Sequence, residues 1–193
     1  MNRRRALAAL AAAPLAVWGC SDGPSFYSMD VTGAEFGKDF SLTDTEGRAR
    51  TLADFRGKLV MIFFGFVHCP VVCPVVLMQA AEARRALGKD GEKLQVIFIT
   101  LDPERDTPED IRGYATTFDA SFIGLYSDLA GTAKVAKEFR VFYQKVPAGG
   151  TYAIDHTAFT YVYDTLGRLR LTVKHDQSSE KTVADLRLLL SQT

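Results

Sequence analysis

Leu59-Val-Met-Ile-Phe-Phe-Gly-Phe-Val-His-Cys-Pro-Val-Val-Cys-Pro74 is the stretch on which the reading of the 193-residue chain turns. An apolar run of this length, rich in β-branched and aromatic residues, suits a strand buried on both faces and therefore central in a sheet. After it, Val76, Ala80, Ala83 and Leu87 recur at helical spacing, which puts Cys69 and Cys73 at a strand-to-helix junction. Pro70 and Pro74 bias the cysteine before each of them away from helical geometry, and proline suits a first helical turn. The free N–H groups and dipole of a helix N-terminus favour thiolate over thiol. Two activated thiols at this spacing can close a disulfide or hold a soft metal.

Upstream, Arg3-Arg4-Arg5 precede a continuous apolar run from Ala6 to Val17, the pattern of a signal sequence over residues 1–19. The run is far shorter than the roughly 20 residues a spanning helix needs. Val17-Trp18-Gly19-Cys20 resembles the lipobox of bacterial lipoprotein signals, although Trp18 is an unusual member of it. That resemblance implies a lipidated Cys20 and a protein exported and anchored to a bacterial membrane, with its domain outside the cytoplasm. Residues 20–34, with Gly, Pro and Ser and little periodicity, read as a tether, leaving 35–193 as one domain.

The chain carries 23 basic and 23 acidic residues; without the three leader arginines the balance is 20 to 23, a net charge of about −3. Nucleic acid is therefore not an expected partner. With Cys20 given to lipid, Cys69 and Cys73 remain as a pair in an oxidising compartment. No internal repeat or low-complexity tract is visible.

Along the domain, Asp44-Thr-Glu-Gly47 reads as the turn of an N-terminal hairpin, and Leu94 to Leu101 as a second buried strand. Thr107 followed by Pro108, Glu109 and Asp110 is a well-formed helix start, running to about Phe118. Phe122 to Tyr126 is a short strand, and Asp128 caps a helix to Phe139. Val141 to Gly150 reads as an irregular loop, and residues 141–155 as a mobile lid over the site. A hairpin turning at Asp164-Thr-Leu-Gly167 and a helix from Ser179 complete the chain. Strands alternating with helices and closed by a hairpin indicate a three-layer α/β/α domain with a mixed sheet. With two cysteines after the first buried strand, this resembles the thioredoxin-like fold.

Three histidines join the cysteines as scarce ligand-type residues. His156 stands just before the penultimate strand, where thioredoxin-like proteins commonly place a proline against the cysteine pair, a position that would bring it beside both sulfurs. Two thiolates and one imidazole suit Cu(I), and Cu(II) with some rearrangement. A catalytic zinc site also fits three ligands, whereas a structural one closes with four. His68 is expected as a bystander or outer support, His175 as solvated, and Asp102 as a turn residue or a support near the cysteine loop.

Gly65-Phe-Val-His-Cys-Pro-Val-Val-Cys-Pro74, Asp102-Pro-Glu-Arg-Asp-Thr-Pro108 and Asp155-His156 together resemble the three signatures of the Sco/SenC family of thioredoxin-like, copper-binding proteins. The resemblance implies copper held by Cys69, Cys73 and His156. It also implies a copper donor protein and, as recipient, the copper-site subunit of cytochrome c oxidase with its dinuclear centre. Val71 departs from the usual aspartate and Val67 from a frequent threonine. The competing function is that of a thiol–disulfide oxidoreductase using Cys69 and Cys73, which has no need of an imidazole at position 156. A peroxidase would need an activated peroxidatic cysteine that the sequence does not advertise.

Overall fold

A computed structural model describes residues 25–192; the residues read as a signal sequence, Cys20 and the start of the stretch read as a tether lie outside them. Met29–Asp30 forms an edge strand, β1, so the end of the stretch read as a tether is part of the sheet. Just before it, the backbone N–H groups of Tyr27 and Ser28 and the Ser28 hydroxyl all donate to the buried carboxylate of Asp185. Nothing in the local sequence of residues 27–30 announces this docking, because its partner lies more than 150 residues away.

Ser41–Asp44 (β2) and Ala49–Thr51 (β3) make the expected N-terminal hairpin. Leu59–Gly65 (β4) is buried at every position, as an apolar run with no polar alternation demands. Val72–Ala86 (α1) follows, then Leu94–Thr100 (β5), equally buried, and Pro108–Phe118 (α2), whose Thr107 and Asp110 form a capping box. Ile123–Tyr126 (β6) and Leu129–Glu138 (α3) come next, with Asp128 accepting from Gly131 N–H as its cap. Tyr143–Ala148 (β7), Thr151–His156 (β8), Phe159–Tyr163 (β9), Leu169–Lys174 (β10) and Ser179–Ser191 (α4) complete the described chain.

Eight strands form one sheet in the order β1-β10-β9-β4-β5-β6-β2-β3. It is mixed: β4, β5 and β6 run parallel, and β9 joins β4 antiparallel. Side-chain alternation along β4 assigns the two faces. Phe63 and its register partner Phe98 look toward α1 and α2, where Phe98 packs on Tyr114, while Phe64 packs on Phe139 at the end of α3. Because α4 packs on α1, the helices α1, α2 and α4 cover one face and α3 the other, which is the expected three-layer α/β/α arrangement.

Residues 141–150 are not an irregular loop. β7 and β8 form a two-stranded antiparallel ribbon of their own, turned by Gly149 and Gly150, both at positive φ (53° and 85°). Two glycines in this conformation are the natural two-residue hairpin turn. Pro147 is tolerated because β7 pairs with β8 alone.

The structure also reveals a recurrence that the sequence reading missed. Asp44-Thr-Glu-Gly-Arg-Ala-Arg50 and Asp164-Thr-Leu-Gly-Arg-Leu-Arg170 build the same hairpin turn twice. In each, one oxygen of the buried aspartate accepts two turn N–H groups, and the other accepts from the two arginines. These bonds hold both carboxyls below the usual carboxylate range against the opposing effect of burial.

Candidate metal centre

The site forms where β4 runs out. Gly65 ends the strand, Cys69 N–H closes a turn onto the Phe66 carbonyl at 3.2 Å, and α1 begins at Val72. Cys73 therefore lies inside the first helical turn, fully buried, whereas Cys69 precedes the helix and is half-buried. The Cys73 backbone N–H points at Cys69 Sγ, 3.4 Å away, so the sulfur occupies the place of a helix N-cap acceptor. Both cysteines are free thiols.

The sequence treats the two thiols as equally activated, and the structure separates them. Cys69 is drawn down to a pKa of about 4, chiefly by the hydrogen bond from the Cys73 thiol, with the His156 ring and the backbone N–H groups of Cys73 and Val71 adding to it against burial. Cys73 is pushed up, first because its proton is committed to Cys69 and then by its own burial. The metal-free pair thus holds one proton between two sulfurs, with the charge on the accessible one.

His156 ends β8, and its Nε2 lies 3.8 Å from Cys73 Sγ. Its Nδ1 is 2.9 Å from the Thr157 carbonyl. A carbonyl only accepts, so Nδ1 carries a proton there, and Nε2 is the ring atom turned toward the sulfurs. The rings of Phe63 and Phe66 stand edge-on to the imidazole, each with its centroid 6.1 Å away, and fill the space that water would otherwise occupy. Among the described residues, no three His, Cys, Asp or Glu side chains already stand as a closed metal cage. Cys69, Cys73 and His156 are neighbours that a soft cation would draw together, and a donor set of two sulfurs and one imidazole suits copper.

The remaining candidates fall elsewhere. His68 is largely exposed, with its Nδ1 3.5 Å from Asp106 Oδ1. His175 is exposed in the turn after β10. Asp102 does not support the cysteine loop directly; its carboxylate accepts from Tyr152 OH at 2.8 Å and from Arg105 Nε at 2.5 Å, on the hairpin side. Asp106, which the sequence reading left aside, is the residue beneath the cysteine turn, accepting from Val67 N–H at 3.0 Å and Thr100 Oγ1 at 2.6 Å.

With this geometry in view, comparison with known proteins is decisive. The SCO1/SenC family model matches residues 29–191. The chain belongs to the SCO1/SenC family. A SCO2-like protein of Rickettsia conorii is 34% identical over 156 residues, covering 79% of this chain and 76% of that one. The structure of Bradyrhizobium japonicum ScoI with copper bound superposes at a TM-score of 0.72 with 43% identity, over 81% of this chain and 99% of that chain. The apo Sco1 protein of Thermus thermophilus gives a TM-score of 0.76 at 39% identity, over 86% and 97%. The thioredoxin-like architecture is therefore that of the SCO family.

Proposed function

We propose that this SCO1/SenC protein is a copper chaperone that takes copper on Cys69, Cys73 and His156 and delivers it to the dinuclear copper centre of cytochrome c oxidase. The observation that carries the reading is the meeting of Cys73 Sγ and His156 Nε2 at 3.8 Å, beside the Cys69 thiolate, from segments 83 residues apart. The 43% identical Bradyrhizobium protein, seen with copper bound, supports copper rather than zinc as the cargo. Copper is here a substrate to be received and released. The donor set is soft enough to retain Cu(I), and the imidazole sits on a separate ribbon from which a recipient can take the metal one bond at a time. The partners are a copper donor protein and the copper-site subunit of the oxidase. Residues 1–19 act as the export signal, lipid on Cys20 anchors the protein at the membrane, and the domain works outside the cytoplasm.

A second reading, thiol–disulfide exchange, is favoured by the asymmetry of the two sulfurs. The accessible Cys69 thiolate attacks a partner disulfide to give a mixed disulfide and a partner thiolate. Cys73 then loses its proton to that thiolate and attacks the Cys69 sulfur. A Cys69–Cys73 disulfide results, and the partner is released with one sulfur as thiol and the other, displaced in the last step, as thiolate. Such a step would prepare the recipient's cysteines for copper.

Titration of the reduced protein with Cu(I) against a competing chelator tests the chaperone reading. It should show one copper per chain, and none once Cys69 and Cys73 are oxidised to a disulfide, because both thiolate donors are then lost. Equal affinity in the two redox states would refute it. Incorporation of labelled fatty acid into the wild type but not Cys20→Ala tests the anchor; equal incorporation, or none into either, would refute it.

A further inference from the structure

We infer that Arg105, acting with Asp102 and Tyr152, is a positioning group that sets the reach of His156. The β7–β8 ribbon shares no ladder with the eight-stranded sheet. Of its strand residues only Ile154 is buried, so packing alone holds it loosely. At its base, Phe142 N–H donates to Thr157 Oγ1 and Thr157 N–H to the Phe142 carbonyl, which fixes the pivot but not the angle.

The angle is fixed further out, by the turn after β5. Arg105 donates through Nη1 to the Tyr152 carbonyl at 2.8 Å and to Thr151 Oγ1 at 3.4 Å, and its guanidinium lies 3.6 Å from the centroid of the Tyr152 ring. Its Nε donates to Asp102, whose other oxygen takes the Tyr152 hydroxyl. Lys145, paired with Glu104, stands 4.5 Å from the same ring centroid. Tyr152, Ile154 and His156 share one face of β8, since side chains alternate along a strand, so the clamp grips the face that carries the imidazole.

The same turn also reaches the sulfurs. Asp102 N–H donates to Thr100 Oγ1, the Thr100 hydroxyl donates to Asp106, and Asp106 accepts from Val67 N–H two residues before Cys69. One hydrogen-bonded chain thus runs from the ribbon through residues 100–106 to the cysteine turn. Arg105 is the member whose planar fork joins backbone, carboxylate and ring at once, which a lysine cannot reproduce.

The consequence for copper rests on His156 being a ligand, as proposed above; the clamp itself does not. Hydrogen exchange of the reduced, metal-free protein therefore decides it first, comparing wild type with Arg105→Met, Arg105→Lys and Tyr152→Phe. Arg105→Met should raise exchange at residues 151–156 about tenfold or more, from the loss of the stacking and charge-assisted bonds, and leave β4 and β5 unchanged. Arg105→Lys should not restore protection. Tyr152→Phe, which keeps the ring, should show a smaller increase and serves if Arg105→Met does not fold. Unchanged exchange at 151–156, or an equal rise across the whole domain, would overturn the inference. Electron paramagnetic resonance of the Cu(II)-loaded proteins then reads the nitrogen coupling, which should be weakened in Arg105→Met. Absence of nitrogen coupling in the wild type would instead refute the ligand assignment while leaving the exchange result to decide the clamp.

Discussion

Gly65 and Cys73 meet so closely that a methyl group on Gly65 would stand 2.7 Å from Cys73 Sγ, with the rings of Phe98 and Phe63 at 3.0 and 3.1 Å. The buried sulfur is seated against bare backbone at the end of β4, in a socket whose walls are core aromatics. No neighbour there is the free end of a flexible chain, so an added methyl must push the sulfur or the strand.

Gly65→Ala should therefore lower Cu(I) affinity by displacing Cys73 Sγ from His156, and destabilise the domain by about 1–3 kcal/mol as an overpacked core. Chelator competition and urea unfolding measure the two effects separately. Wild-type affinity with full stability would show that the socket does not set the sulfur's position.

The two thiols should differ in reactivity. With its pKa drawn down to about 4, Cys69 is thiolate throughout the neutral range, and its alkylation by iodoacetamide should be nearly independent of pH from 8 to 5, falling only as pH approaches 4. An unperturbed cysteine, with a pKa of about 8.5, would lose most of its rate across that same interval. Cys73, buried and protonated, should react far more slowly until the fold opens. Peptide mapping by mass spectrometry after short exposure reads this, and equal labelling of the two would contradict it.

Much of this arrangement is legible in the sequence, for a physical reason. β4, β5 and α2 are specified by local features: unbroken apolar runs for the strands, and the Thr107–Asp110 capping box for the helix. Other features depend on partners distant in sequence. Tyr27 and Ser28 dock on Asp185, Asp102 finds Tyr152, and Cys73 is buried while Cys69 is not. The β7–β8 ribbon is an intermediate case. Gly149-Gly150 was a hairpin signal in plain view, masked by Pro147, which only an edge position makes harmless.

The paired turns at Asp44 and Asp164 should govern acid stability. Both carboxyls are held below their unfolded values, so their contribution is fully present above a pH of about 4 and is lost as pH falls through the lower folded values. Asp164→Ala, which leaves two arginines facing a buried void, should cost about 3 kcal/mol at neutral pH and flatten the acid limb of the stability curve. Chemical unfolding from pH 7 to 3 measures both, and a variant that keeps the wild-type acid limb would contradict the assignment.

The central claim is that Cys69, Cys73 and His156 together hold copper. X-ray absorption of the Cu(I)-loaded protein tests it most directly. The wild type should show two sulfurs and one nitrogen, His156→Ala should lose the nitrogen, and Cys73→Ser should lose one sulfur. An identical ligand shell in the wild type and either variant would contradict the account.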